Sequence, residues 1–244
     1  SIYFTIRMNI LEKIVAHKKI EVAKAQQQAS IQQLENAMFF QRTTFSLTQN
    51  LLSENSSGII AEFKRKSPSK GIINDKCEAF EVVKQYENAG VSGSSVLTDE
   101  QFFGGTLQDL ISVRQSVNIP LLRKDFMIEE YQFIEAKSIG ADVVLLIASI
   151  LTPAQVKVFT DLAKSLHLEV LLELHDETEL NHVYHKVDMV GINNRNLKTF
   201  EVDIEQSIRM ADKLGSDFVK VAESGISTIE TLKYFKQNGF QGFL

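Results

Sequence analysis

VVLLIASILTPAQVKVFTDLAKSLHLEVLLEL, from Val143 to Leu174, carries two short apolar runs, Val143 to Ile147 and Val170 to Leu174, on either side of a longer amphipathic stretch. The runs read as strands, and Thr152-Pro153 ahead of the apolar periodicity reads as a helix start. A crossover of that length returns the chain to the same end of the sheet, so the two strands are expected to be parallel. The same alternation extends in both directions, through Ile59 to Phe63, Ser94 to Leu97, Pro120 to Leu122, Met189 to Ile192, Phe218 to Ala222 and Gly242 to Leu244. Eight strand candidates result, spaced by about 20 to 35 residues, room for one crossover helix each.

Repeated βα units without a Gly/Ser/Pro linker or low-complexity tract predict an α/β protein with one (β/α)8 barrel spanning residues 1–244. An open doubly wound sheet is the structural alternative. Ahead of the first strand, a Glu-, Lys-, Ala- and Gln-rich stretch from Ile10 to about Ile31 has apolar residues at helical spacing, including Ile10, Ile14, Ile20 and Ala23. It predicts a helical N-terminal extension over about residues 8–45. Residues Ser1 to Arg7 precede Met8 and read as an upstream extension or added residues. The eighth run ends at Leu244, so the expectation is a barrel truncated at its C-terminal end, without an eighth helix and with a frayed seam.

Composition narrows the function. The chain has 244 residues, 44% of them hydrophobic and 23% charged, with a net charge of −5. That balance gives no reason to seek nucleic acid or an anionic membrane, so an anionic small molecule would have to meet a local cluster of cations. No apolar run approaches the roughly 20 residues that span a bilayer. Cys77 is the single cysteine, which excludes an intrachain disulfide and fits a reducing cytoplasm. A cytoplasmic monomer is expected, with no cofactor and no metal.

In a parallel barrel the chemistry collects where strands run into their βα loops. The first run reads IIAEFKRKSPSKG, and a period of two puts Glu62 and Lys64 on the face of Ile60. In LLRKDF, Lys124 and Phe126 share a face with Leu122. The fifth run reaches Glu173, the sixth places Asn193 and Arg195 on one face of GINNRN, and the seventh ends in Glu223, Ser224 and Gly225. Such charges cost several kcal/mol each to bury unless they are paired or meet a charged ligand. Each one alone is as readily an ion pair or a solvated strand end; five strand ends together point to a site. Ser224-Gly225, ahead of a helix expected near Ser227, also offers backbone amides to a phosphate.

AEFKRKSPSKG, LTDEQFFGG, LLRKDFMI, GADVVLLI, LLELHDE, GINNRNL and VKVAESGI follow one another in this order. From about Ile10 onward the chain thereby resembles the indole-3-glycerol-phosphate synthases of tryptophan biosynthesis. The resemblance implies cyclisation of 1-(2-carboxyphenylamino)-1-deoxyribulose 5-phosphate with loss of carbon dioxide and water, a carboxy-lyase reaction on a substrate bearing carboxylate and phosphate. It implies Lys124 as the general acid at the ribulose carbonyl, Lys64 and Arg195 as cationic contacts to the anionic ends, and a proton-transfer role for Lys64. Glu173 and Glu62 match the catalytic glutamates, with Asn193 as a hydrogen-bonding orienter. Phe103 and Phe126 match positions against the aromatic ring, and Ser67, Glu223, Ser224 and Gly225 match positions around the sugar phosphate. The N-terminal helix fits the family's extra segment beside the barrel mouth.

Other signals carry less. Lys64-Arg65-Lys66 with Lys70 lacks interleaved aromatics and suits a substrate loop better than a nucleic-acid patch. His175, His182 and His185 read as a solvated helix face rather than a zinc site, and Gly104-Gly105 is not a dinucleotide fingerprint. Two alternatives stay open: an aldolase-type lyase with Lys124 as a Schiff base, and a barrel that only binds phosphate or forms part of a larger assembly. An isomerase of the same pathway suits the long KRKSPSKG loop and the three glutamates less well.

Overall fold

The computed structural model describes residues 9–196 and 199–244. Ser1 to Arg7, Met8 and Leu197 of the GINNRNL motif lie outside the described residues. Eight parallel strands form one sheet in sequence order: β1 (Ile60–Phe63), β2 (Gly93–Leu97), β3 (Leu121–Lys124), β4 (Val143–Ile147), β5 (Glu169–Leu174), β6 (Met189–Asn193), β7 (Val219–Glu223) and β8 (Gly242–Phe243). The doubly wound alternative is thereby excluded, because strand order follows chain order all the way round. The seam is short but joined. β8 pairs with β7 through Gly242↔Val221 and Phe243↔Ala222, and a parallel bridge between Ile59 and Phe243, with Phe243 N donating to Gly58 O at 2.8 Å, returns to the start of β1.

Helices α4 (Ala79–Asn88), α5 (Leu107–Ser116), α6 (Glu130–Ile139), α7 (Pro153–Ser165), α8 (Ile204–Leu214) and α9 (Ile229–Gln237) lie between the strands, after α1 (Ile10–Gln28), α2 (Ile31–Glu35) and α3 (Leu47–Leu52) of the N-terminal extension. Thr152 caps α7 in a capping box with Gln155, and Pro153 stands in its first turn, as the sequence predicts. Two links depart from the expected pattern. Between β5 and β6 the chain spends its few residues on a 3-10 segment, Glu177–His182, in place of an α-helix. After β1 it folds a small antiparallel ribbon, Lys66–Ser67 against Gly71–Ile72, before α4.

The period of two in the strands separates two cores. Ile60, Leu122, Val143, Leu145, Ile147, Leu171, Met189, Val219 and Val221 point into the barrel, while their neighbours pack against the helices. Leu47 and Leu51 of α3 join the inner set. α1 departs from its sequence pattern: Ile20 and Ala23 are exposed, and the buried line is Ile14, Lys18 and Val22. These are four residues apart, one stripe of a helix, and a lysine occupies its centre. Among the described residues no helix is long and apolar enough to cross a membrane.

Candidate active site

The inward-facing positions of β1, β3, β5, β6 and β7 turn from apolar to charged or polar at their C-terminal ends. Glu62 follows Ile60, Lys124 follows Leu122, Glu173 follows Leu171, and Glu223 follows Val221. These side chains meet across the barrel mouth. Lys124 Nζ lies 2.5 Å from Glu62 Oε1, and Lys64 Nζ lies 3.5 Å from Glu62 Oε2 on the other side. Ser95 Oγ of β2 donates to Glu62 Oε1 at 3.3 Å. Burial by itself would raise the Glu62 carboxyl, but Lys124, then Lys64 and Ser95, outweigh it and hold Glu62 below the usual carboxylate range. Burial would lower Lys124, yet Glu62, Glu223 and Glu173 together push it above the usual lysine range, so it is an ammonium at neutral pH.

Glu173 and Glu223 form the other half. Both are buried, Glu223 at 2% exposure, and neither Glu223 oxygen accepts a hydrogen bond from any described residue. Burial and the neighbouring Glu173 push the Glu223 carboxyl well above the usual range. On Glu173 the effect of burial is outweighed by His175 and then Lys124, which hold it well below. Gly191 makes the approach possible: a Cβ there would stand 2.6 Å from Glu223 Oε2.

The predicted residues at the rim are brought to the same end of the barrel. Asn193 Oδ1 accepts from Arg195 N at 3.0 Å, and the Arg195 side chain is exposed, with Nη1 donating to Phe200 O at 3.3 Å. Ser224 and Gly225 both adopt left-handed backbone, φ 69° and 70°. A Cβ at Gly225 would meet Val202 Cγ1 at 2.9 Å, so both the backbone and the close approach favour glycine there. Ser224 N donates to Leu244 O at 3.3 Å, and α9 starts at Ile229 with Thr228 as its cap, slightly later than the sequence suggests. Ser67 is buried in the ribbon, where its Oγ accepts from Lys70 N at 3.1 Å. Phe103 and Phe126 stand with ring centroids 6.0 Å apart, and Phe103 O accepts from Lys66 N at 3.2 Å, which ties the loop after β2 to the ribbon.

Three side chains at this mouth escape a reading of the sequence. Lys18, 0% exposed, reaches from α1 to Asp99 at 2.8 Å and Asp125 at 2.9 Å, and also pairs with Glu21. Asp99 Oδ1 in turn accepts from Phe102 N and Phe103 N, and Asp125 Oδ1 from Phe126 N. The helical extension is thus fastened to both aromatic positions and to the residue after Lys124. The signal for it is the stripe Ile14, Lys18, Val22. Asn194 is buried and holds β6 to β7, donating to Ser224 O at 2.8 Å while accepting from Ser207 Oγ. His175 is corrected outright: it is 8% exposed and faces Glu173, in place of the solvated helix face expected for it. Its position two residues after Glu173 on an alternating strand end carries the inward direction. Among the described residues no group of His, Cys, Asp and Glu side chains is arranged to hold a metal ion.

The sequence pattern of the indole-3-glycerol phosphate synthase family matches residues 11–244. An indole-3-glycerol phosphate synthase of Bacteroides thetaiotaomicron is 48% identical over 236 residues, covering 97% of this chain and 90% of that protein. The enzymes of the same name from Caldanaerobacter subterraneus and Campylobacter fetus are 43% and 40% identical, each covering 96% of this chain and 91% and 92% of their own lengths. Among solved structures, a tryptophan synthase α-subunit from Legionella pneumophila superposes with a TM-score of 0.58 at 11% identity, covering 81% of this chain and 83% of that one, a likeness of fold.

Proposed function

Because the chain belongs to the indole-3-glycerol phosphate synthase family, we propose that its barrel mouth carries out that ring closure with the residues described above. The protein is a carboxy-lyase of tryptophan biosynthesis. It converts 1-(2-carboxyphenylamino)-1-deoxyribulose 5-phosphate to indole-3-glycerol phosphate, releasing carbon dioxide and water. The observation that carries the residue assignment is the Lys124 ammonium, paired with Glu62 and facing two further carboxylates inside an apolar barrel.

Ring closure forms a carbon–carbon bond between the carboxylate-bearing ring carbon and the ribulose carbonyl, whose oxygen must gain a proton as its π bond opens. Lys124 enters the reaction protonated and supplies that proton. The carboxylate then leaves as carbon dioxide and its bonding electrons restore the ring. Lys64 and Arg195, both at the solvent edge, meet the anionic ends of the substrate. Dehydration requires an acid to release the hydroxyl as water and a base to take the adjacent carbon-bound proton. Glu62 and Glu173, both held ionised, offer the base, Lys64 beside Glu62 supplies the proton that leaves with the hydroxyl, and Asn193 orients the substrate.

Glu223, kept neutral beside Glu173, is able to donate a hydrogen bond to a sugar hydroxyl while Ser67, Ser224 and Gly225 surround the phosphate. Phe103 and Phe126 pack on the aromatic ring. A Schiff-base role for Lys124 is disfavoured, because imine formation needs a neutral amine and the surrounding carboxylates hold the ammonium. We further read the protein as a cytoplasmic monomer, in line with its single unpaired Cys77 and modest net charge.

The test is to mix the purified protein with the carboxyphenylamino-deoxyribulose phosphate and follow indole fluorescence. Lys124→Ala is expected to lower turnover by roughly 10²- to 10⁴-fold, the contribution of a positioned acid, with fold and substrate binding kept. Turnover near that of the unaltered protein would remove Lys124 from the mechanism.

A further inference from the structure

His175 stands at the end of β5, two residues beyond Glu173, and its ring lies between two carboxylates. Nε2 is 3.2 Å from Glu173 Oε2, and Nδ1 is 3.3 Å from Glu179 Oε1. Ser149 Oγ closes the outer side, 2.9 Å from Nδ1, and donates to Glu179 Oε2 at 2.6 Å, while the His175 backbone N–H donates to Glu179 Oε1 at 2.6 Å. A neutral imidazole has one N–H and one lone pair, so one of its nitrogens would aim a lone pair at a carboxylate. Between two ionised carboxylates, the imidazolium presents positive N–H to both sides.

On the inner side, Glu173 and Glu223 are two buried carboxylates that share the base of the mouth, and like charges this close do not both ionise in a poorly solvated site. Lys124 acts on both, and on Glu223 ahead of Glu173, so it does not account for Glu173 being the ionised member. His175 also acts on Glu223, as the weakest of its influences, but of the two carboxyls it stands in ion-pair contact with Glu173 alone. Resting on the reading of Glu173 as a base of the dehydration, we propose that His175, clamped as an imidazolium by Glu179 and Ser149, is a positioning residue that keeps Glu173 ionised and leaves the proton of the pair on Glu223. The directions agree: burial opposes it, but Glu173 and Glu179 push His175 up to about 10, so its charge persists through neutral pH. The titratable groups that bear on the cluster are Glu179 outside and Lys124 inside, with Glu62 beyond Lys124.

The experiment has two readouts. In His175→Asn the acidic limb of kcat/KM is expected to move up by about one pH unit or more, because a cation beside a carboxylate lowers its pKa by that order. KM on the high-pH plateau should stay within about twofold, since no substrate contact is removed. A uniform loss across pH, with the limb unmoved, would overturn the proposal and leave a packing role. Should the variant fail to fold, ¹⁵N spectra of the unaltered protein decide: one of its five histidines should keep imidazolium shifts from pH 6 to 9, whereas five neutral rings at pH 8 would overturn it. Glu173→Gln separates this from the catalytic reading. If that variant retains turnover, both fall; if it is inactive while no histidine stays charged, only the role of His175 falls.

Discussion

The two ends of this barrel treat buried charge in opposite ways. At the N-terminal face Asp142, at the start of β4, accepts from Arg42 Nη2 at 2.7 Å, Arg114 Nη1 at 2.6 Å, Phe45 N and Leu121 N, both at 2.8 Å. Glu169, at the start of β5, accepts from Leu47 N, Thr48 N and Ser46 Oγ and so caps α3. At the C-terminal mouth Glu223 is as deeply buried as Asp142, yet among the described residues its carboxyl oxygens have no donor and it faces a second carboxylate. Saturated carboxylates stay charged and hold a fold together; a buried carboxyl left short of donors holds a proton instead, an energetic cost that the fold sustains at the end of a barrel where ligands bind. We read the same kind of group as having a structural task at one end and, as proposed above, a chemical one at the other.

Asp142→Ala offers the largest effect on stability. It strands Arg42 and Arg114 and two amides, and should cost about 3–5 kcal/mol in denaturant unfolding, with kcat of the folded fraction retained. A loss of kcat in fully folded protein would break the division between the two ends. Gly191→Ala comes next. Its Cβ would press on Glu223 Oε2 from 2.6 Å, and the expected cost is about 1–3 kcal/mol, accompanied here by reduced kcat because the carboxylate moves. Unchanged kinetics would mean that the position of Glu223 is immaterial.

The smallest effect has the opposite sign. The raised Glu223 pKa favours folding while the group stays protonated in the native state, so its contribution is full below the unfolded-state pKa and is lost as pH rises through the native value. Glu223→Gln should remove that loss and stabilise the protein at pH 8, with no gain near pH 4, as read from unfolding curves at the two pH values. For Glu62, whose pKa is lowered, the contribution is present above the unfolded-state value and disappears as pH falls. A destabilised Glu223→Gln at pH 8 would show that the mouth is as well satisfied as the opposite face.

Most of the mouth is legible in the chain because barrel strands alternate in and out. Glu62, Lys124, Glu173 and Glu223 are placed inward by their two-residue spacing from Ile60, Leu122, Leu171 and Val221, and the inner core contains all four of those apolar residues. His175 obeys the same rule but is easily missed, since a histidine next to Asp176 and Glu177 looks solvated when its strand context is ignored. Lys18 is hidden by its type: a lysine is rarely buried, and its partners Asp99 and Asp125 lie far along the chain. The ribbon after β1 leaves no periodic trace, being two short pairs of residues within a polar loop.

Strand number, parallel order, most of the inward set of charges and the family follow from the chain alone, because each depends on short-range periodicity or on the order of motifs. How the charges pair does not. Whether Lys124 meets Glu62, whether Lys18 reaches two aspartates and which carboxylate His175 accompanies depend on distances between strands remote in sequence, and electrostatic energies in a buried mouth vary steeply with those distances.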